Sequence, residues 1–219
     1  MAIIRALAFH APKYDGGLTG DYLKDLLRFN PAFGRTAKSF RTEIWTRRLV
    51  LPRSDTIPNI SLYELACQAQ DTAKSLGIDF IALPIGKVKV EDIAMQITNA
   101  LKDTSETFFS IKAAGIEEDL SSLEAFSLAG LIKEIARDAG PEACSRFAIA
   151  YGDQPETAYF PDTASRKEGF SISLRYVPDL RSAIERHGKK GIEAGILETL
   201  SKLEREAKKA STDSGIDYI

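Results

Sequence analysis

Cysteine and histidine are scarce in this chain, with two of each among 219 residues. Two cysteines are too few for a disulfide framework, and Cys67 and Cys144 match no zinc spacing. His10 and His187 have no ligand-type neighbour two, three or four positions after them, so no metal set is expected. Scarce thiols fit a reducing, cytoplasmic setting. Charge of one sign is also missing. The formal net charge is −2, which supplies no broad field for nucleic acid or an anionic membrane surface. Neither is expected as a partner. No apolar run approaches the roughly eighteen residues of a membrane span. The start, Met1-Ala-Ile-Ile-Arg-Ala-Leu-Ala-Phe, lacks a basic leader region and reads as a first strand instead. Neither G-x-G-x-x-G nor a P-loop lysine is present.

What fills the chain is an alternation of short apolar runs with amphipathic segments. Ile3–Phe9 reads as a strand, and Thr19–Phe29 as a helix ended by Asn30–Pro31, because the residue before proline is pushed out of the helical region. Thr42–Leu51 alternates two unlike faces, as a strand does. Ser61 with Glu64, and Ser121 with Glu124, have capping-box spacing and open helices. Gly77 is placed to end the first of these in the left-handed conformation. Further strands are expected at 78–85, 107–113, 146–151 and 170–175, with a helix at 90–101. A long helical region follows, broken near Gly188. It carries Ile192, Ile196, Leu200 and Leu203 on one face, and Ile216–Ile219 resembles the start of another strand. Strands separated by helices imply a mainly parallel α/β sheet with outer helices, in one domain spanning 1–219.

Several groups are candidates for chemistry. The loop Tyr14–Gly20 joins a strand to a helix, where backbone N–H groups can hold an anion; a plain connection is the alternative. His10, ending the first strand, is placed to face a site at the C-terminal edge of a parallel sheet. His187 suits the terminal carbonyls of a helix. Cys67 reads as a small core residue, and Cys144 stands two residues from Arg146. Glu117–Glu118–Asp119 suits the first turn of a helix, where the dipole favours acids. Thr46 and Arg48 share a strand face by the two-residue period, and Arg146 opens a later strand. Arginine inside a parallel sheet must be paired or face a wet cavity. Two guanidinium groups near one sheet edge would fork onto a carboxylate or phosphate. A structural ion pair is the competing account.

Thr46-Arg47-Arg48, Ser145-Arg146-Phe147-Ala148, Pro155-x-x-x-Tyr159-Phe160-Pro161 and Phe170-Ser171-Ile172-Ser173-Leu174 follow one another in order. This order resembles that of the PFL-like family catalogued as domain of unknown function seven-one-one, whose counterparts are similar to Q-T-x-R, N-F-R-F-A, P-F-F-P and F-x-I-G-L-E. The resemblance covers nearly all of this chain and about the first half of a family member. It implies a fold related to pyruvate formate-lyase and other glycyl-radical enzymes, an α/β barrel of ten strands assembled from two halves. The radical machinery does not carry over, because no R-V-x-G-Y-type loop and no adjacent cysteine pair is present. Arg175 stands where the family pattern has glutamate, and Asp162-Thr163 replaces small residues. Gly215–Ile219 resembles the opening of a family segment G-I-D-x-S, as if the chain stopped inside it.

The fold expected is therefore a PFL-like half-barrel or a doubly wound sheet. The function expected is binding of a small anionic metabolite at the C-terminal sheet edge through Thr46, Arg48 and Arg146, with Tyr159, Phe160 and Pro161 as a loop wall. The rival is a structural subunit completing a larger barrel, either with a second copy or with another chain that supplies the missing half. The residues name no cofactor.

Overall fold

The computed structural model describes residues 3–13, 18–54, 61–114, 119–151, 164–175, 177–188 and 191–219, with the backbone alone at 178–180, 183 and 187. Six strands form one sheet: β1 (Ile3–His10), β2 (Arg47–Val50), β3 (Phe80–Ile85), β4 (Thr107–Ala114), β5 (Phe147–Tyr151) and β6 (Gly169–Arg175). Their spatial order is β5-β4-β3-β2-β1-β6. The first five run parallel, as the alternation of strands and helices requires, and β6 lies antiparallel on β1.

This order decides between the two architectures expected. A doubly wound sheet needs a reversal of strand order among its parallel strands, so that helices cover both faces. Here each parallel strand is added on the same side as the one before. Right-handed crossovers then leave every connecting helix on one face. A sheet covered on one face curls, and the molecule is a half-barrel. The doubly wound alternative is excluded, and with it the crevice that such a reversal creates.

Side chains sort accordingly. Leu7, Phe9, Leu49, Ile81, Leu83, Phe109, Ile111 and Phe147 point to the helix side and belong to the main core. They meet α1 (Gly20–Asp25), α2 (Asn30–Ser39), α3 (Leu62–Ser75), α4 (Val90–Asp103), α5 (Ser122–Glu134) and α7 (Gly191–Ser214), which contribute Leu23, Phe33, Leu65, Ile97, Leu131 and Leu203. A further helix, α6 (Val177–His187), packs on α7. Among the described residues no helix is long and apolar enough to cross a membrane.

Both capping boxes form. The Ser61 and Ser121 hydroxyls accept from the N–H groups of Glu64 and Glu124, whose carboxylates return to the capping N–H. Each cap contributes about 1 kcal/mol. Gly77 and Gly188 take positive φ at helix ends, the conformation glycine adopts without a Cβ clash. One helix goes unforeseen. The turn after α1 is a 3-10 segment, Leu26–Phe29, and α2 starts at Asn30 with Pro31 in its first turn. Proline stops a helix that runs into it but starts one readily, because the N–H it lacks would be unpaired there anyway. Strand β2 is shorter than its alternating segment, whose early part contributes only a bridge from Ile44 to Ile4. Of Ile192, Ile196, Leu200 and Leu203, only Leu203 joins the core, and it packs on the helix side of the sheet. Tyr218 bridges Phe170 in parallel, so the chain does add to the sheet at 216–219.

Candidate functional site

The face of the sheet without helices is the inner, concave one. Register partners across it are Ala8, Arg48 and Phe80, then His10, Val50 and Ala82, then Pro84, Ser110 and Ala148. On β6 the same face carries Ser171 and Ser173, opposite Ala8 and Ala6. Small residues therefore make much of the floor, interrupted by the rings of Phe80 and Phe108, with Arg48 and hydroxyl groups rising from it.

At the N-terminal end of the strands, Thr46 and Arg48 lie together. The Thr46 hydroxyl donates to the Arg5 carbonyl at 2.8 Å, and Arg48 Nε donates to Thr46 Oγ1 at 3.1 Å. The Arg48 guanidinium sits 5.8 Å from the centre of the Phe80 ring. Burial, and next the positive charge of Arg5, draw Arg48 below the ordinary arginine range. Arg48 is thus a half-buried cation on the concave face, and the charge of the exposed Arg5 acts on it.

Arg146 is elsewhere. It ends a 3-10 turn, Pro141–Arg146, just before β5. Its guanidinium donates to the Thr107 carbonyl at 3.2 Å, to Thr104 Oγ1 at 3.5 Å and to the Leu101 carbonyl. Leu101 and Thr104 belong to the C-terminal end of α4, on the helix side, where a cation meets the negative end of the helix dipole. The expected convergence of Arg48 and Arg146 on one ligand is corrected: β3 and β4 separate them, and Arg146 is committed to backbone carbonyls. Their expected place is corrected too. Thr46, Arg48 and Arg146 stand at the N-terminal ends of the parallel strands, not the C-terminal edge.

This assignment predicts a stability effect for Arg146→Ala. Removing a charged donor from two carbonyls should cost about 2 kcal/mol, within the range for hydrogen bonds to charged groups. Urea unfolding of the variant measures it, and a loss below about 0.5 kcal/mol would contradict the tie to α4.

The C-terminal end of the concave face holds what the sequence suggested only for His10. His10 is buried, and its Nε2 lies 2.8 Å from Ser171 Oγ. Ser110 is fully buried in β4, and its hydroxyl has no hydrogen-bond partner among the described residues. A buried hydroxyl left unpaired costs about 1–3 kcal/mol, a cost that a polar ligand would offset. Neither serine stands out in the sequence. The signal available was the two-residue alternation of Ser171 and Ser173, which puts both hydroxyls on one face.

Other expectations resolve plainly. Tyr159, Phe160 and Pro161 lie outside the described residues, as do 14–17 of the first loop, Glu117, Glu118 and the His187 side chain. Cys67 and Cys144 are free. Cys144 Sγ faces the Ile132 carbonyl at 3.9 Å, while the Arg146 guanidinium is engaged elsewhere. Among the described residues no group of histidine, cysteine and acidic side chains is arranged to hold a metal.

No family model matches the sequence, and no curated protein matches it.

Proposed function

We propose that the protein is a PFL-like half-barrel of a reducing, cytoplasmic compartment that binds a small anionic metabolite on its concave face, without glycyl-radical chemistry. The observation that carries this reading is the half-buried Arg48 guanidinium set beside the Thr46 hydroxyl, with the positive charge of Arg5 acting on it, on a face that no helix covers among the described residues. An anion there would relieve the repulsion between the two guanidinium groups and accept from the Arg48 fork. His10 with Ser171, and the buried Ser110, offer hydroxyl and imidazole groups to the rest of the molecule. The motif order that resembles the PFL-like family agrees with the singly wound half-barrel.

Calorimetric titration with a panel of small carboxylates and phosphates tests the proposal. At least one should bind, and Arg48→Gln should weaken it by about tenfold or more, the equivalent of one charged hydrogen bond. Silence across the panel at millimolar concentration, or undiminished binding by the variant, would reject the concave site.

A second reading, that the half-barrel works as part of a larger assembly, has its own support. Helix α5 is apolar nearly all round, with Leu123, Phe126, Leu128, Leu131 and Ile132 spread over its circumference. Such helices are ordinarily buried on every side. Here Leu128 and Leu131 are buried, whereas Leu123 is 76% and Phe126 77% exposed, and Met95 of neighbouring α4 is 69% exposed. In the sheet, β5 pairs with β4 only, so its other edge carries no strand among the described residues. An exposed apolar helix face and an unpaired strand edge are both what a second half-barrel would cover.

A further inference from the structure

Away from the concave face, the C-terminal end of α2 and the side of α7 enclose a groove of about 530 Å³, lined by Ser39, Arg41, Thr42, Lys202, Arg205, Glu206 and Lys209. Its volume falls in the range of small-molecule sites. Lys202, Arg205 and Lys209 follow a spacing of three and four residues, which sets all three on one side of α7. Arg41 faces them from the chain just past α2. Four cations therefore surround one carboxylate.

That carboxylate does not neutralise them. Glu206 stands four residues after Lys202, the spacing at which helices pair opposite charges. Its Oε2 instead accepts from the main-chain N–H groups of Arg41 and Thr42, each at 3.2 Å. The carboxylate pins the loop to α7 and shapes the groove. The Ser39 hydroxyl lies 3.0 Å from the Arg35 carbonyl and 3.1 Å from Asp213 Oδ2, and so engages that carboxylate at the rim of the groove. Arg41, Lys202 and Lys209 make no ion pair among the described residues. Elsewhere on the same helix the pattern is ordinary, since Lys208 pairs with Glu204 at 2.7 Å. Arg205 and Lys209, four residues apart, form a like-charge pair that weakens an isolated helix.

We propose that this groove binds a small multiply charged phosphate, of the diphosphate class. A diphosphate group offers several anionic oxygens over a short span, matching cations that approach from two sides, and the planar fork of arginine suits phosphate oxygens. A monocarboxylate would leave most of these charges unmatched. The site is separate from the concave face and does not depend on the reading given for it.

Calorimetric titration of the full chain with inorganic pyrophosphate, at two salt concentrations, tests the proposal. One pyrophosphate per chain should bind, more weakly at the higher salt. The double variant Lys202→Gln, Lys209→Gln should weaken binding at least about tenfold while its circular dichroism and melting temperature stay near those of the parent. No binding at millimolar pyrophosphate would overturn the assignment. So would binding undiminished in the double variant, and so would binding lost in Arg48→Gln but kept in the double variant, which would place the anion on the concave face.

Discussion

Replacing Phe9 by alanine is expected to lower the free energy of unfolding by about 3–5 kcal/mol, the range for deleting a buried aromatic ring. Phe9 has no exposed surface and sits where three parts of the fold meet. On its strand it is flanked by Leu49 of β2 and Phe170 of β6. Above it, the ring of Phe33 stacks at 4.1 Å between centroids, joining the sheet to α2. Neighbours held in two ladders collapse poorly into a cavity, so the upper part of the range applies. Domains of this kind are stable by only about 5–15 kcal/mol, so the variant should sit near the edge of folding at physiological temperature. Phe80, on the concave face, has its own aromatic contact with Phe108 at 5.2 Å but is only partly buried. Phe80→Ala should therefore cost less than half as much. Urea denaturation of both variants separates the faces. Equal losses would mean that the two sides of the sheet are packed alike.

The protein is expected to sediment as a two-fold dimer at micromolar concentration, with Phe126→Asp combined with Leu123→Asp raising the dissociation constant by about hundredfold or more. The magnitude follows from two exposed apolar anchors, since central contacts of this type often contribute at least about 2 kcal/mol each and tenfold in affinity is about 1.4 kcal/mol. The direction follows from geometry. A two-fold axis beside β5 brings its open edge against the same edge of a second copy as an antiparallel pair, and it sets the two α5 faces side by side. Closed two-fold dimers are the commonest symmetric assembly. Open strand edges otherwise invite uncontrolled pairing. Sedimentation equilibrium of parent and variant gives the answer directly. A 24.1 kDa monomer at tens of micromolar would reject self-association.

Local pattern was enough for the strands and helix starts, because each rests on residues close in sequence. The Ser61 and Ser121 boxes are three-residue signals, and β1, β3 and β4 announce themselves by short apolar runs bounded by helices. What local pattern could not supply was the order of strands in space, and that order alone separates a half-barrel from a doubly wound sheet. The same limit explains the arginines. Arg48 meets Thr46 as the two-residue alternation, a local signal, predicts. Arg146 looked equivalent, yet its role depends on carbonyls of Leu101 and Thr107, some forty residues earlier. The partner of His10 is farther still, since Ser171 is brought to it only by the antiparallel ladder of β6. Helix α2 was hidden by Pro31, a residue that both ends and begins helices.

The pairing of β1 with β6 also sets a timetable. Each parallel crossover joins strands a few tens of residues apart, so β1 to β5 can assemble by successive local closures as the chain emerges. The sixth strand must return across the whole sheet to meet residues 3–10. Long-range closures of this kind are slow to form. Until β6 arrives, β1 is bare on one side and β5 on the other, so the buried first strand is itself a border of the nascent sheet. A ribosome-bound or partly refolded chain is therefore most exposed to wrong partners at its own first strand, a hazard that ends only when the stretch carrying Ser171 reaches it.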